Sequence, residues 1–378
     1  MSEFFLDPQV TFLNHGSYGA CTKTVLLEQR SYQNRMETQP VQFMVDFLPK
    51  ALNVARSIAA KFVGTTEDNI TFVKNATTGV NAVLKNLKLS ENDEVLTTNH
   101  RYDAVGHALV HYTTQMKAKL VVAQVPFPIV DDNQIVDAIT QKITKQTKLL
   151  VVDQISSATA TLFPIEKLAN IARSKGILIL VDGAHSPGQI DLNLDTANID
   201  FWTGNMHKWI CAPKGSALLY VNPKHHKNFH APIISHGYQQ GFHEEYDWMG
   251  TDDFTAHLST PKALALHKQW GGASFRQQNH NLMCEASDLI LQAFPYFKTT
   301  PQQPTLAMRS FLIPDNPHAR EIYNNLWKRH KIEVVLHPWG NHTILRISCF
   351  SRYNTMQNYQ RLVAALQEEK LVRPAGTK

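Results

Sequence analysis

The sequence predicts an α/β protein: a large domain with a mainly parallel sheet flanked by helices, then a smaller α+β domain. Three observations carry this reading. Short β-rich runs alternate with helical patterns from about residue 70 to 221, the pattern of a parallel sheet covered on both faces. The Pro- and Gln-rich stretch Thr300-Pro301-Gln302-Gln303-Pro304 then separates that body from a terminal pattern of strand, helix, two strands and helix. Finally, 378 residues, 43% hydrophobic and 18% charged, bury a large core and suit two domains better than one.

The elements follow in order. Ile70-Thr71-Phe72-Val73 reads as a strand and is followed by a helical stretch through Val80, Val83, Leu84 and Leu87. Glu94-Val95-Leu96-Thr97 is a strand, 105–112 a helix, and Leu120-Val121-Val122-Ala123 a strand. Leu149-Leu150-Val151-Val152 precedes a helix over 165–175 stopped by Gly176, then come Ile177-Leu178-Ile179-Leu180-Val181 and Ala217-Leu218-Leu219-Tyr220. A helix over 261–270 joins this body to strand 311–313, helix 319–330, strands 334–336 and 344–347, and helix 356–366. Asn75, Tyr102, Gln154 and Asp182 each stand where a strand ends, and ligands of such sheets sit beyond the carboxyl ends of the strands. One crevice can collect all four.

Composition excludes several classes. The formal charge of +5 is mild, and the Lys and Arg residues are scattered, which argues against a nucleic-acid surface but not against small anionic substrates. Cys21, Cys211, Cys284 and Cys349 lie far apart without a CxxC pair, so neither a disulfide framework nor a zinc site is indicated. The first residues lack the basic and apolar regions of a signal peptide, and no apolar run reaches membrane-spanning length. A cytoplasmic protein with no membrane partner is expected. His225, His226, His230, His236 and His243 match no metal-binding spacing, so no metal is expected and this stretch reads as a solvated loop.

The chemistry lies in Asp200-Phe201-Trp202-Thr203-Gly204-Asn205-Met206-His207-Lys208-Trp209, which sets a lysine beside a histidine and an aromatic, downstream of a strand ending at Asp182. A pyridoxal phosphate enzyme needs a lysine that can lose its proton and hold the cofactor's aldehyde. It also needs an acid to keep the pyridine nitrogen protonated. Asn75-Ala76-Thr77-Thr78-Gly79, between a strand and a helix, can offer N–H groups and hydroxyls to a phosphate, although a helix cap explains it equally well. Arg346, in Leu345-Arg346-Ile347-Ser348, is costly to bury unpaired; a substrate carboxylate or an internal acid would satisfy it.

Val181-Asp182-Gly183-Ala184-His185-Ser186-Pro187-Gly188, followed by Asp200-Phe201 and His207-Lys208, resembles the class V aminotransferase family of fold type I pyridoxal phosphate enzymes. Phe12-Leu13-Asn14-His15-Gly16-Ser17-Tyr18-Gly19 and Trp248-Met249-Gly250-Thr251-Asp252-Asp253 look like its isopenicillin N epimerase-like branch. The resemblance implies residues 1–20 as an N-terminal segment associated with the small domain, 21–260 as the cofactor-binding domain, and 261–378 as the linking helix and small domain. It implies Lys208 as the cofactor lysine, Asp182 at the ring nitrogen and Thr77 and Thr78 at the phosphate, with Asn205 or His207 closing the other side. Tyr102 would stack on the ring, a helix-start tyrosine being the alternative, and His185 and Gln154 would reach its phenolic oxygen. Arg346 and Asn14 would bind substrate, and Thr251 would act across a homodimer interface. With Lys208 as base and Tyr102 as acid, the first expectation is a β-eliminating carbon-sulfur lyase on a cysteine-like amino acid. The alternatives are an epimerase, then an aminotransferase, and last a non-catalytic binding protein. No cysteine stands on a flexible loop before Arg346, which disfavours a persulfide-forming desulfurase.

Overall fold

Residues that are apolar on both sides of a strand need cover on both faces, and the computed structural model shows how this chain provides it. It describes residues 2–370 except Gln302, Pro304, Asp315 and Pro317; Gln302 and Pro304 of the Pro- and Gln-rich stretch thus lie outside the described residues. The strands are β1 (Thr11–Phe12), β2 (Ile70–Val73), β3 (Glu94–Thr98), β4 (Lys119–Ala123), β5 (Thr147–Asp153), β6 (Leu178–Asp182), β7 (Phe201–Asn205), β8 (Ala217–Val221), β9 (Met308–Ile313), β10 (Ile332–Glu333), β11 (Val335–Trp339) and β12 (His342–Ser348). Seven form one sheet in the order β2-β8-β7-β6-β5-β3-β4. The pairs β4–β3, β3–β5, β5–β6 and β6–β7 are parallel, and β8 runs antiparallel to both neighbours.

Alternate residues of these strands feed two separate cores. Leu96, Leu150, Val152, Ile179 and Val181 pack on one face with the helices Leu48–Val63 and Ile165–Ser174. Val95, Leu149, Val151 and Leu180 pack on the other with the helices Ala76–Asn86 and Asp103–Gln115. By the same alternation Asp153 and Asp182 point to the second face, at its carboxyl edge.

A smaller antiparallel sheet, β11-β12-β9, packs against the helices Ala273–Ala293, Ala319–Lys328 and Met356–Glu368 around Phe311, Ile347, Tyr359 and Leu362. The chain's start joins it: β1 pairs in parallel with β10, Thr11 opposite Ile332, and Leu13 lies in the same core.

The differences from the sequence reading have physical causes. Phe201–Asn205 is a fully buried strand, yet with Thr, Gly and Asn in five positions it shows no strand pattern. The helices Lys23–Thr38, Leu48–Val63 and Ala273–Ala293 were not anticipated. The last mixes Arg276, Asn279 and Ser287 into its buried face, which blurs the apolar stripe. The expected strand 334–336 breaks at Val334, so that Ile332–Glu333 meets β1 while Val335–Trp339 meets β12. The histidine-rich stretch is an exposed loop around His236 only; its other histidines are engaged, His225 with Asp200 at 2.8 Å, His226 with the Val221 carbonyl at 2.8 Å, His230 with Glu245 at 2.8 Å and His243 with the Ile70 carbonyl at 3.1 Å. The four cysteines are free thiols, and no helix among the described residues is long and apolar enough to cross a membrane.

Candidate active site

Lys208 sits on the turn between β7 and β8 and is buried. Its Nζ lies 3.0 Å from His185 Nε2. On the other side of that imidazole, Trp209 Nε1 donates to His185 Nδ1 at 3.4 Å. An indole N–H can only donate, so Nδ1 accepts. Burial and the nearby Lys208 charge hold His185 well below its usual pKa. The neutral ring therefore carries its proton on Nε2, facing Lys208, and that contact is a hydrogen bond when the lysine is a free amine. Burial and then Arg346 lower the Lys208 pKa to about 7, against the opposing pull of Asp182 and Asp153. The chain thus prepares a neutral amine near physiological pH.

The backbone of this turn is fixed from the far end of the chain. His15, held neutral by burial with its pKa near 3, donates from Nε2 to the Lys208 carbonyl at 3.0 Å and accepts from Tyr353 at 2.6 Å through Nδ1. Gly19 has φ +68°, and a Cβ there would stand 2.2 Å from the His207 carbonyl oxygen. No other residue allows the N-terminal segment to pass so close to the lysine.

Around this amine lie the strand ends. Asp182, the last residue of β6, is buried and accepts from the Ala184 N–H at 2.9 Å through Oδ1. Burial pushes its pKa up, while that bond and Lys208 favour its charged form. Gln154 fixes its amide by accepting from Trp202 Nε1 at 2.9 Å, which leaves its N–H groups to donate. At the start of the helix Ala76–Asn86, Ala76 N–H bonds Asn205 Oδ1 at 2.9 Å. Thr78 gives both its N–H, at 2.9 Å, and its hydroxyl, at 3.1 Å, to Asn75 Oδ1. Thr77 retains its N–H and hydroxyl for an anion, and the Asn205 amide N–H groups face the same helix end. Thr78, by contrast, is engaged by the helix cap Asn75. His207 donates from Nδ1 to the Ser216 carbonyl at 3.2 Å, and its pKa is lowered to about 4 by burial and Lys208. Its Nε2 offers a donor only when the ring takes a second proton.

Arg346, on β12, completes the pocket from the small domain. Nη1 donates to the Ser157 carbonyl at 2.6 Å and hydroxyl at 3.1 Å; Nη2 donates to Asn14 Oδ1 at 3.2 Å and Ser17 Oγ at 2.9 Å. Its buried Nε has no partner, and no Asp or Glu among the described residues pairs with it. Burial lowers its pKa to about 10, with only Tyr102 opposing. The internal acid that the sequence left open is absent there. Asn14 touches the guanidinium and orients it.

Tyr102, the residue before the helix Asp103–Gln115, is 46% exposed at the mouth of the crevice. Thr251 is exposed too; the structure does not bring it onto the cradle, but its neighbour Asp252 pairs with Lys74 at 2.6 Å, next to Asn75. The sequence reading did not single out His15, Tyr353, Ser17 or Ser157. Of these, His15 and Ser17 stand in a stretch it had quoted.

An amine, a buried carboxylate at a strand end, anion donors at a helix start and an unpaired guanidinium together fit an aldehyde cofactor that bears a ring nitrogen and a phosphate, beside an amino-acid carboxylate. The comparisons agree. The family described as Aminotransferase class-V matches residues 20–362. A probable chloroplastic L-cysteine desulfhydrase of Arabidopsis thaliana is 26% identical over 95% of this chain and 83% of its own. The isopenicillin N epimerase of Streptomyces clavuligerus is 26% identical, covering 96% and 95%, and the hercynylcysteine sulfoxide lyase of Schizosaccharomyces pombe is 27% identical, covering 76% of each. Among solved structures, the cystine C-S lyase C-DES in complex with its reaction product cysteine persulfide shares the fold, with a TM-score of 0.82 at 20% identity over 95% of this chain and 97% of that one.

Proposed function

This chain belongs to the class-V aminotransferase family, whose members work with pyridoxal phosphate, and from that premise we propose that it is a carbon-sulfur β-lyase acting on cysteine or an S-substituted cysteine. The observation that carries the reading is a buried, deprotonatable Lys208 sharing one pocket with the unpaired Arg346. Similarity to an L-cysteine desulfhydrase and to a sulfoxide lyase supports the choice of reaction.

Bound here, pyridoxal phosphate draws electrons from the substrate's α-carbon and so makes its hydrogen acidic. Lys208 would hold the cofactor's aldehyde, and its neutral Nζ is the base placed to take the substrate's α-proton. Asp182 would supply the negative charge for the ring nitrogen, Thr77 and Asn205 would hold the phosphate, and Gln154 and His185 would donate toward the phenolic oxygen. Arg346 grips the carboxylate, held in place by Asn14, Ser17 and Ser157, and so aims the Cα–H bond at Lys208. The Cβ–S bond then breaks with its electron pair on sulfur. Tyr102, at the mouth, gives that sulfur a proton, and water releases pyruvate and ammonia.

A second reading, epimerisation, is supported by the similarity to the isopenicillin N epimerase over nearly both whole chains. One end-point assay decides: with L-cysteine or an S-substituted cysteine the lyase yields equal pyruvate and ammonia, whereas inversion without pyruvate moves the assignment to the epimerase.

Thr251 is best used by a second copy of this chain, its exposed hydroxyl reaching the neighbour's phosphate. Mixing inactive Lys208→Ala chains with inactive Thr251→Ala chains should then restore activity in the hybrid. Absence of rescue despite subunit exchange contradicts that arrangement.

A further inference from the structure

Asp153 ends β5 as Asp182 ends β6, and the two are register partners on adjacent parallel strands. Paired residues of parallel strands project from the same face with backbones about 4.8 Å apart. Two buried carboxyl groups therefore stand side by side beneath the helices Ala76–Asn86 and Asp103–Gln115. We propose that Asp153 is held as a neutral carboxylic acid whose proton keeps Asp182 the charged member of the pair, making Asp153 the positioning residue for the cofactor's ring. The inference rests on the reading that Asp182 serves the ring nitrogen.

Two like charges so close in a buried site cannot both persist, so one carboxyl keeps its proton. The surroundings choose which. Asp182 is nearest the Lys208 charge and takes the Ala184 N–H at 2.9 Å, both of which favour its ionised form. Asp153 is pushed well up by burial and then by Asp182 itself. The groups facing Asp153 are Asp182 from β6, its own backbone N–H, the backbone N–H of Tyr102 and the Arg101 side chain from the turn before the helix Asp103–Gln115, and Lys208 from across the pocket. Arg101 does not neutralise it: Nη1 is bonded to the Thr98 carbonyl at 3.0 Å, and no ion pair to Asp153 forms.

A carboxyl that must stay protonated in the fold but ionises when unfolded, at about 3.9, destabilises the fold progressively as pH rises above about 4. Asparagine has no proton to lose. The test compares thermal midpoints of the wild-type holoenzyme and Asp153→Asn, at saturating pyridoxal phosphate, from pH 4 to 9. The variant should match the wild type near pH 4 and exceed it by roughly 2–6 °C at pH 8, with its absorption spectrum unchanged. A variant less stable than the wild type at pH 8, the gap closing as pH falls, would mean an ionised Asp153, and a constant difference would mean ordinary titration; either overturns the inference. Asp153→Ser gives a second neutral donor with the same expected signature if asparagine does not fold. Turnover plays no part in this comparison, so its failure leaves the Asp182 assignment standing, while that assignment fails separately through Asp182→Asn.

Discussion

Replacing Arg346 by methionine separates two roles that a buried arginine can play. Burial lowers its pKa from the usual guanidinium range to about 10; at about 1.36 kcal/mol per pH unit, burial costs the charged form roughly 3 kcal/mol. Four hydrogen bonds, to Ser157, Asn14 and Ser17, offset this at about 1 kcal/mol each. The two nearly cancel, so Arg346→Met should change the thermal midpoint by no more than about 2 °C. Binding is different, because truncating one partner of a buried charge pair costs about 2–5 kcal/mol. The expected fall in kcat/KM with L-cysteine is therefore about 30- to 5,000-fold. The assay measures pyruvate from L-cysteine, and sulfide from both L-cysteine and cysteamine, which lacks the carboxylate. Wild type should prefer the carboxylate-bearing substrate strongly, and the variant should lose that preference. Equal losses with both substrates, together with a collapse in stability, would refute the carboxylate role and make Arg346 structural.

Three further outcomes follow from the same geometry. Colour formation on adding pyridoxal phosphate to the cofactor-free chain needs a neutral Lys208, so its rate should rise with pH through about 7 and then level off; a rate rising steadily to pH 10 contradicts the lowered pKa. Asp182→Asn should still bind cofactor but lose about 10²–10³-fold in turnover, as removal of one preorganised electrostatic contact does; near-normal turnover rules out its role. Tyr102→Phe should slow pyruvate formation more than exchange of the α-hydrogen with deuterated solvent, and equal slowing reduces the tyrosine to a stacking surface.

What could be read from the sequence were features that depend on a few consecutive residues. Ile177-Leu178-Ile179-Leu180-Val181 announces its strand and fixes Asp182 at the end of it, and His207-Lys208 announces the amine. The parallel sheet, the three strands of the smaller α+β domain and the class-V family were all legible in this way. Long-range features were not. Ser17 and Ser157 lie 329 and 189 residues from Arg346, the residue they serve, and His15 meets Lys208 across 193 positions. The His185 tautomer depends on Trp209, whose partner appears only when the two turns pack together. Thr78, read as a phosphate donor, turns out to spend both its protons on Asn75 because an Asx cap competes locally for them.

Lys208 as the reacting amine is the central claim, and reductive trapping tests it most directly. The holoenzyme is reduced with borohydride, digested and mapped by mass spectrometry. A pyridoxyl adduct on Lys208, with loss of the visible absorption, is the expected result. An adduct on Lys214 or any other lysine, or an absorption band that survives Lys208→Ala, would contradict the account.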